Sequence, residues 1–481
     1  MKNLSIKKIS LLLLFPILLV VSACEKNDDA EKIRNNKIVN EWIQENMDIL
    51  YFWNTQIPAK KDLTLSPSDF FKSLLYTKED RFSYIAEDFA ELSDLLSGVQ
   101  LEAGYDFTLF LKAAGSQDVI GVIDYIKPNS PASQTNLKRG DIFLTVNGKQ
   151  LTTTNYQELL GEMSAPHTLG VYRNNSIQSI SLSVIKYEEN PILLDSIYEI
   201  GGKKIAYLIY NFFATDNGDY SYSYLKELND IFGKFKQANV NELVLDFRYD
   251  TGGQADIVPA LAGMISGRTS SDLLCIDQYN SIVDSELKKQ SGDNYNKTFF
   301  DDYLIIRNKN GNIIDRSIPV NKLSGLRRLY VLTSDKTASA SELIINGLKP
   351  YMNVILIGDQ TYGKNVGMWF IYEDDPQKQK ENRWGMLPIV FKIFNSQNKS
   401  DYSSGFMPDI AVNEYDTESL LPLGDTHELL LEAALANMGV QSASSLRSAE
   451  KRFDSRPFAS SIDRTPVRKN IIYKRFQPLV Q

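Results

Sequence analysis

From about Asp195 onward the chain alternates strand, helix, strand, and this rhythm limits its fold more than any other feature. "KKIAYLIYNFF" (203–213) reads as a strand. "YSYLKELNDIFGKFKQA" (222–238) is an amphipathic helix, and "ELVLDFRYDTGG" (242–253) is a buried strand ending in two glycines. "LRRLYVLTS" (326–334) and "MNVILIGD" (352–359) add two more strands around a helical stretch. Alternating elements of this length predict an α/β domain with a mostly parallel sheet. The 481 residues leave room for one or two further domains with cores of their own. A formal net charge of −8 argues against nucleic acid as a partner, because phosphate binding needs a basic footprint.

The N-terminus has the pattern of an export signal. Lys2, Lys7 and Lys8 precede the apolar run "LLLLFPILLVVSA" (Leu11 to Ala23), which is too short to span a bilayer comfortably. "VSAC" resembles a bacterial lipobox. The resemblance implies removal of residues 1–23 and lipidation of Cys24. The mature chain would then be held on the outer membrane, at its periplasmic face or at the cell surface. Residues 24–36 read as a polar tether. Cys275, in the apolar "LLCI", reads as a buried inert thiol. Residues 37–97 have helical spacing, with Ile38, Trp42, Met47 and Leu50 on one face and Ser66 or Ser68 as the N-cap of a second helix.

Residues 98–187 form a different unit. The apolar strands "VIGVIDYI" (119–126) and "IFLTVNG" (142–148) flank "SPASQTNLKRGD" (130–141), and Asn147-Gly148 signals a hairpin. This stretch resembles a PDZ domain of the bacterial, circularly permuted kind, although Thr135-Asn136 stands where relatives often have Ala-Gly. The resemblance implies that the loop Gly104, Tyr105, Asp106, Phe107 in "AGYDFTLFL" presents backbone N–H groups to a peptide's terminal carboxylate. The peptide would add as an extra strand.

Two motifs carry the chemistry. "TSDKTASASELIINGL" (Thr333 to Leu348) gathers serines at a helix start, and "GDQTYGKNVGMWF" (Gly358 to Phe370) sets a lysine among apolar residues. Only two histidines exist, His167 and His427, and neither lies near a nucleophile-elbow pattern. No paired His/Cys spacing suggests a metal, and no cofactor is expected. Lysine can replace histidine as the base if burial keeps it neutral. Lys364, beside Tyr362, Val366, Met368, Trp369 and Phe370 and between Gly363 and Gly367, has the neighbours for that role.

Taken together, "TASASE" with Ser339, "TYGK" with Lys364 25 positions later, "LDFRYDTGG", "FMPDI" (406–410) and the preceding PDZ-like unit resemble the carboxyl-terminal processing (tail-specific) serine peptidases. "DRFSYI" (80–85) resembles their Bacteroides-type lipoprotein branch. The resemblance implies a ClpP/crotonase-like α/β core of βα repeats over 188–440, a helical N-terminal region and an inserted PDZ domain. It implies Ser339 as nucleophile, Lys364 as base, and an oxyanion hole from the N–H groups of Ala340 and of Gly252 or Gly253. Ser341 and Thr337 could instead be caps, and Glu342 a first-turn charge. Met368 stands where relatives carry a glutamine that orients the lysine; Asn365 could substitute, or packing alone could hold it. The expected function is a serine endopeptidase for unfolded polypeptides with free, apolar C-termini. The alternative is a catalytically weak, chaperone-like peptide binder. Residues 441–481 form a basic tail, expected to be loosely ordered, whose end "NIIYKRFQPLV" could pair as an edge strand.

Overall fold

A computed structural model describes residues 15–417, 419–440, 456–465 and 471–475. The strands expected from the βα rhythm form one six-stranded sheet. Its order is 192–200, 203–210, 242–246, 328–333, 353–358 and 410–411. Only the first pair is antiparallel. The central strands are buried on both faces, so they read as continuous apolar runs rather than alternating ones. Leu208, Leu243, Leu245, Val331 and Leu356 face one cluster, which also holds Phe232, Leu261 and Ile344 from three helices. Tyr207, Val244, Tyr330, Leu332 and Ile357 face the other, under the helix Leu429–Asn437.

A second, mostly antiparallel sheet carries the strand Val366–Tyr372, paired to Gly385–Leu387 on one side and Ile389–Asn395 on the other. The N-terminal region is not a separate body. Val39, Ile43, Met47 and Leu50 form its buried stripe, one position out of phase with Ile38 and Trp42, and they join the main core. Tyr84–Ala86 also pairs with Gly385–Leu387. Ser66 is the N-cap of the helix Pro67–Leu74, accepting from the Asp69 N–H at 3.2 Å.

The first helix runs Phe15–Leu50, through the segment expected to be a tether. Residues 25–36 contain no Gly or Pro and several strong helix formers, so nothing local stops the helix. Residues 1–14, and with them the positive start of the export signal, lie outside the described residues. No helix among the described residues is long and apolar enough to cross a membrane.

The unit between 99 and 188 has its own core, built on Tyr105, Phe107, Ile123, Phe143, Leu159 and Val171. Strands 142–146 and 149–150 close through Asn147 (φ +51°) and Gly148 (φ +76°), the two left-handed residues that a tight hairpin requires. The short pair Val99–Glu102 and Ile185–Glu188 joins this unit to the rest.

The tail departs from expectation. Residues 441–455, 466–470 and 476–481 lie outside the described residues, but Ala459–Ser460 and Ile471–Arg475 are strands. The second is not an edge strand. It lies between Gly252–Gln254 and Val366–Tyr372, parallel to both. Ile471, Ile472 and Tyr473 are buried there. Apolar residues in an otherwise basic tail find a place inside the sheet because two short strands leave a gap that one more strand fills.

Candidate active site

The strand Arg328–Thr333 ends in a loop that leads into the helix Ala340–Leu348, and Ser339 is the residue at the junction. Its backbone is held at φ +67°, ψ −108°, a conformation that costs about 1–3 kcal/mol for a non-glycine residue. The surrounding loops over-determine it. The Ala338 N–H donates to the Asp250 carbonyl at 3.1 Å, and the Thr337 hydroxyl donates to the Phe247 carbonyl at 2.7 Å. Ser341 Oγ reaches the Asp250 carbonyl at 3.5 Å. Thr337 and Ser341 therefore tie the helix start to the "LDFRYDTGG" loop rather than capping it. Ser339 is 1% exposed, and its Oγ has no hydrogen-bond partner among the described residues.

Glu342 organises the site. It is fully buried and accepts four hydrogen bonds, two on each oxygen. Oε2 takes the backbone N–H of Ser339 and of Lys364, each at 2.8 Å. Oε1 takes the Gly363 N–H at 2.8 Å and the Thr361 hydroxyl at 2.6 Å. Ser339 and Lys364 are thus brought together through one carboxylate oxygen. Burial pushes the Glu342 carboxyl up to about 7, against the pull of the four donors. The Phe406 N–H donates to Thr361 Oγ1 at 2.7 Å, and Thr361 returns its own N–H to the Phe406 carbonyl, so "FMPDI" buttresses the "TYGK" loop.

Lys364 has no exposed surface. Its Nζ lies 3.6 Å from Met368 Sδ and 4.8 Å from the centre of the Phe82 ring. Burial lowers its pKa from 10.5 to about 7, and the nearby charges of Asp80 and Glu342 offset only part of that. Met368 thus occupies the position expected for an orienting glutamine and offers a soft, weak acceptor in its place. Asn365 does not substitute: its amide donates to the Ser400 carbonyl at 2.6 Å. Gly363 (φ +92°) lies so close to the backbone of Ser403 to Gly405 that a side chain would collide with it.

Sequence reasoning gave "DRFSYI" no role in the site. Asp80 accepts the Tyr51 hydroxyl at 2.8 Å and the N–H groups of Phe82 and Ser83 at 2.9 Å, which fixes the Phe82 ring over the lysine. Arg81 donates to the Gly363 carbonyl at 3.0 Å. The cue in the sequence was an isolated, polar-start aromatic turn after the second helix, and only its long-range partners give it meaning.

The candidate oxyanion donors separate. Ala340 opens its helix, where the first N–H groups lack intrahelical partners. The Gly252 N–H is committed to Asp250 Oδ1 at 2.8 Å, so it is not the open donor expected of it. What Gly252 supplies is space: at φ +95°, an added Cβ would lie 2.7 Å from Ser339 Cβ. Gly253 follows at φ +141°, on the strand that faces Ile471 and Ile472.

In the 99–188 unit, the loop residues expected to meet a carboxylate have other duties. Tyr105 is buried, with its hydroxyl 2.7 Å from His167 Nε2, and Phe107 is core. Asp106 pairs with Lys127 at 3.4 Å; although burial opposes ionisation, that cation and hydrogen bonds hold its carboxyl well below the usual range. Gly104 (φ +84°) makes the turn. His167 is therefore a satisfied core residue. His427 is exposed beside Glu432, in the turn before the helix Leu429–Asn437, which covers the opposite face of the six-stranded sheet from Ser339. Burial pushes the Cys275 thiol up to about 12, so it stays protonated. Among the described residues no cluster of His, Cys, Asp and Glu could hold a metal.

A buried ionic network joins this unit to the loops around Ser339. Arg248 is bound by Asp246 at 2.8 Å and Glu428 at 2.6 Å. Arg139 reaches Glu414 at 2.9 Å and the Tyr249 hydroxyl at 2.5 Å. Lys336, three residues before the nucleophile candidate, donates to Asp124 and Thr108 at 2.7 Å each.

Known proteins resemble this chain in sequence and fold. The chain is 27% identical to a Bacteroides fragilis protein described as an S41 protease, whose crystal structure superposes with a TM-score of 0.64 over 83% of this chain and 97% of that one. It is 25% identical over 320 residues to a chloroplastic C-terminal processing peptidase of Tetradesmus obliquus, covering 62% of this chain and 59% of that one. It is 23% identical over 301 residues to a CtpA-like serine protease of Staphylococcus aureus, covering 61% of this chain and 50% of that one. The chain thus spans between half and three fifths of the length of these two relatives. Residues 39–84 match the Peptidase S41 N-terminal domain and residues 204–412 match Peptidase family S41. Those segments contain Ser339, Glu342, Lys364 and all but the last residue of the "DRFSYI" turn, and on them the chain belongs to peptidase family S41.

Proposed function

We propose that the chain is a serine endopeptidase working through a Ser339–Lys364 dyad. The observation that carries this reading is the shared hydrogen bonding of both residues to Glu342 Oε2, with a wholly buried lysine amine whose pKa falls to about 7. Neutral Lys364 takes the proton from Ser339 Oγ as it attacks the scissile carbonyl, then returns it to the leaving amine. The developing oxyanion is met by the Ala340 N–H at the helix start, with Gly253 as second donor. Losing one such donor typically costs about 10²–10³ in turnover. Glu342 touches no reacting atom and acts as a positioning residue.

The substrates are unfolded polypeptides with free, apolar C-termini. The 99–188 unit is a PDZ domain that captures them by strand addition, a reading supported by its independent core and by the antiparallel strand added to its Tyr105–Leu111 edge. Cys24 is the lipidation site, and it anchors the chain to the outer membrane; "VSAC" supports this.

The test compares the lipid-free chain 25–481 with its Ser339→Ala variant on an unfolded protein with an apolar C-terminus, read by mass spectrometry. Fragments from the parent alone are expected. Binding without cleavage in both would replace this reading with a chaperone-like peptide binder.

A further inference from the structure

The chain's own C-terminal segment occupies both places where the proposed function needs an extended peptide. The first is the β-domain edge. Ala459 and Ser460 pair antiparallel with Leu109 and Thr108, and the Phe458 N–H donates to the Leu109 carbonyl at 3.2 Å. Ser461 then sits on the loop expected to bind a terminal carboxylate. Its Oγ accepts the Phe107 N–H at 3.4 Å and donates to Asp106 Oδ1. Ala459 joins the core of this unit, and the Phe458 ring packs edge-on against Tyr156 at 5.2 Å.

The second place is the cleft beside Ser339. Ile471, Ile472 and Tyr473 pair in parallel with Gly252, Gly253 and Gln254. Tyr473, Lys474 and Arg475 pair in parallel with Met368, Trp369 and Phe370, on the strand that follows the lysine. The Ile471 N–H donates to the Thr251 carbonyl at 3.1 Å, and in a parallel ladder of this register the Ile471 carbonyl faces the Gly253 N–H. That carbonyl oxygen lies 2.2 Å, and Ser339 Cβ 2.7 Å, from the point where a Cβ on Gly252 would fall. A peptide carbonyl therefore stands beside the nucleophile, against one of the two proposed oxyanion donors. Lys474 is fixed at the far end by Asp277 and lies 4.9 Å from the centre of the Phe391 ring.

We propose that Phe458–Ser461 and Ile471–Arg475 are built-in occupants of the substrate path, and that an extended polypeptide gains the site only by displacing them. The catalytic part of this proposal rests on the peptidase reading; the occupancy does not. Three features support it. Ser339 is 1% exposed with the tail strand in place, too little for a substrate carbonyl to reach it. The tail uses the backbone groups of Gly252–Gln254 and Met368–Phe370 that a substrate strand would need. The contacts are short ladders of two or three residue pairs, one at Ala459–Ser460 and two on the strand Ile471–Arg475, so release can proceed in two steps.

The experiment keeps the full chain through folding. A recognition site for a sequence-specific protease is inserted after Val440 and cut once the protein has folded, which leaves the tail bound without a covalent link. Cleavage of an unfolded reporter with an apolar C-terminus is followed before cutting, after cutting, and after dilution. Release is expected to raise the rate per molecule about tenfold or more, because the competent fraction is no longer limited by the tail. A synthetic 456–475 peptide is expected to suppress the rate again. An unchanged rate, or unfolding when the tail leaves, overturns the proposal by making the segment a fixed structural strand. The uncut Ile472→Asp variant gives a second reading: a higher rate supports displacement, whereas a lower melting temperature with a lower rate overturns it. If no form cleaves the reporter, the peptidase reading fails, and occupancy is decided by fluorescence anisotropy. Labelled 456–475 peptide that exchanges into the cut chain and is competed by the reporter supports occupancy; absence of exchange refutes it.

Discussion

The backbone N–H groups of Ser339 and Lys364 both donate to one oxygen, Oε2 of Glu342, at 2.8 Å each. The two nitrogens therefore lie within twice that distance of each other, although 25 positions separate them in the chain. The geometry of the proposed dyad is set by main chain converging on a buried carboxylate, not by a bond between the two side chains.

This makes Glu342→Gln a sharp test. An amide has one acceptor oxygen, so two of the four donors would face an NH₂ group. A loss of about 2–4 kcal/mol in stability is expected from the stranded donors. The kcat should fall by about 10² or more through misplacement of the dyad. Glu342's charge raises the lysine pKa, so any residual activity should have its acid limb at lower pH than the parent. Chemical denaturation and a pH–rate profile would measure these effects, and an unshifted limb would remove Glu342 from the electrostatics of Lys364.

The parent's kcat/KM should rise with pH through about 7, as Lys364 loses its proton. Below the midpoint the slope should approach tenfold per unit. A profile flat from pH 6 to about 9 would rule out a lysine base titrating in that window.

Stability and activity should separate at Lys364. Between about 7 and its ordinary 10.5 the unfolded chain holds a proton on this lysine that the folded chain does not. Folding stability from this group therefore rises with pH across that window, and the full cost is present below it. Lys364→Met should abolish cleavage yet raise stability by about 1–3 kcal/mol at pH 7. Lys364→Arg should be inactive without that gain, because arginine stays charged. Melting curves at two pH values would check both.

Gly252→Ala should remove most activity although it leaves every polar group in place. The new Cβ would fall 2.7 Å from Ser339 Cβ, at a φ of +95°. A cost of about 1–3 kcal/mol in stability and a fall of about 10² in turnover are expected. Wild-type kinetics would show that this strand does not need a glycine.

Arg248→Met should destabilise by about 3–5 kcal/mol, because Asp246 and Glu428 would be left as buried charges without their main partner and Glu414 would keep only Arg139. Urea denaturation would measure it. A change under about 1 kcal/mol would mean that water or Arg139 satisfies those carboxylates.

The sequence by itself determined the βα core and the second β unit, and it singled out Ser339 and Lys364 as candidates. These rest on local signals: apolar runs of strand length, an amphipathic helix over Ser223–Gln237, a left-handed Asn147-Gly148 turn, and serine and lysine motifs in fixed order. Such signals depend on neighbours a few positions apart, which a linear reading can see. Tertiary structure alone decided the rest. Glu342 looks like an ordinary first-turn acid until Thr361, Gly363 and Lys364 fold over it. "DRFSYI" means little until Phe82 meets a lysine nearly three hundred positions later. Gly252 reads as an oxyanion donor until Asp250 takes its N–H. The tail reads as a basic appendage until Ile471–Arg475 enters the gap between the glycine strand and the lysine strand. Except for Asp250, two positions from Gly252, the deciding partner is distant in sequence. A buried donor or acceptor is satisfied by whichever group the fold brings to it, and no local pattern records which group that is.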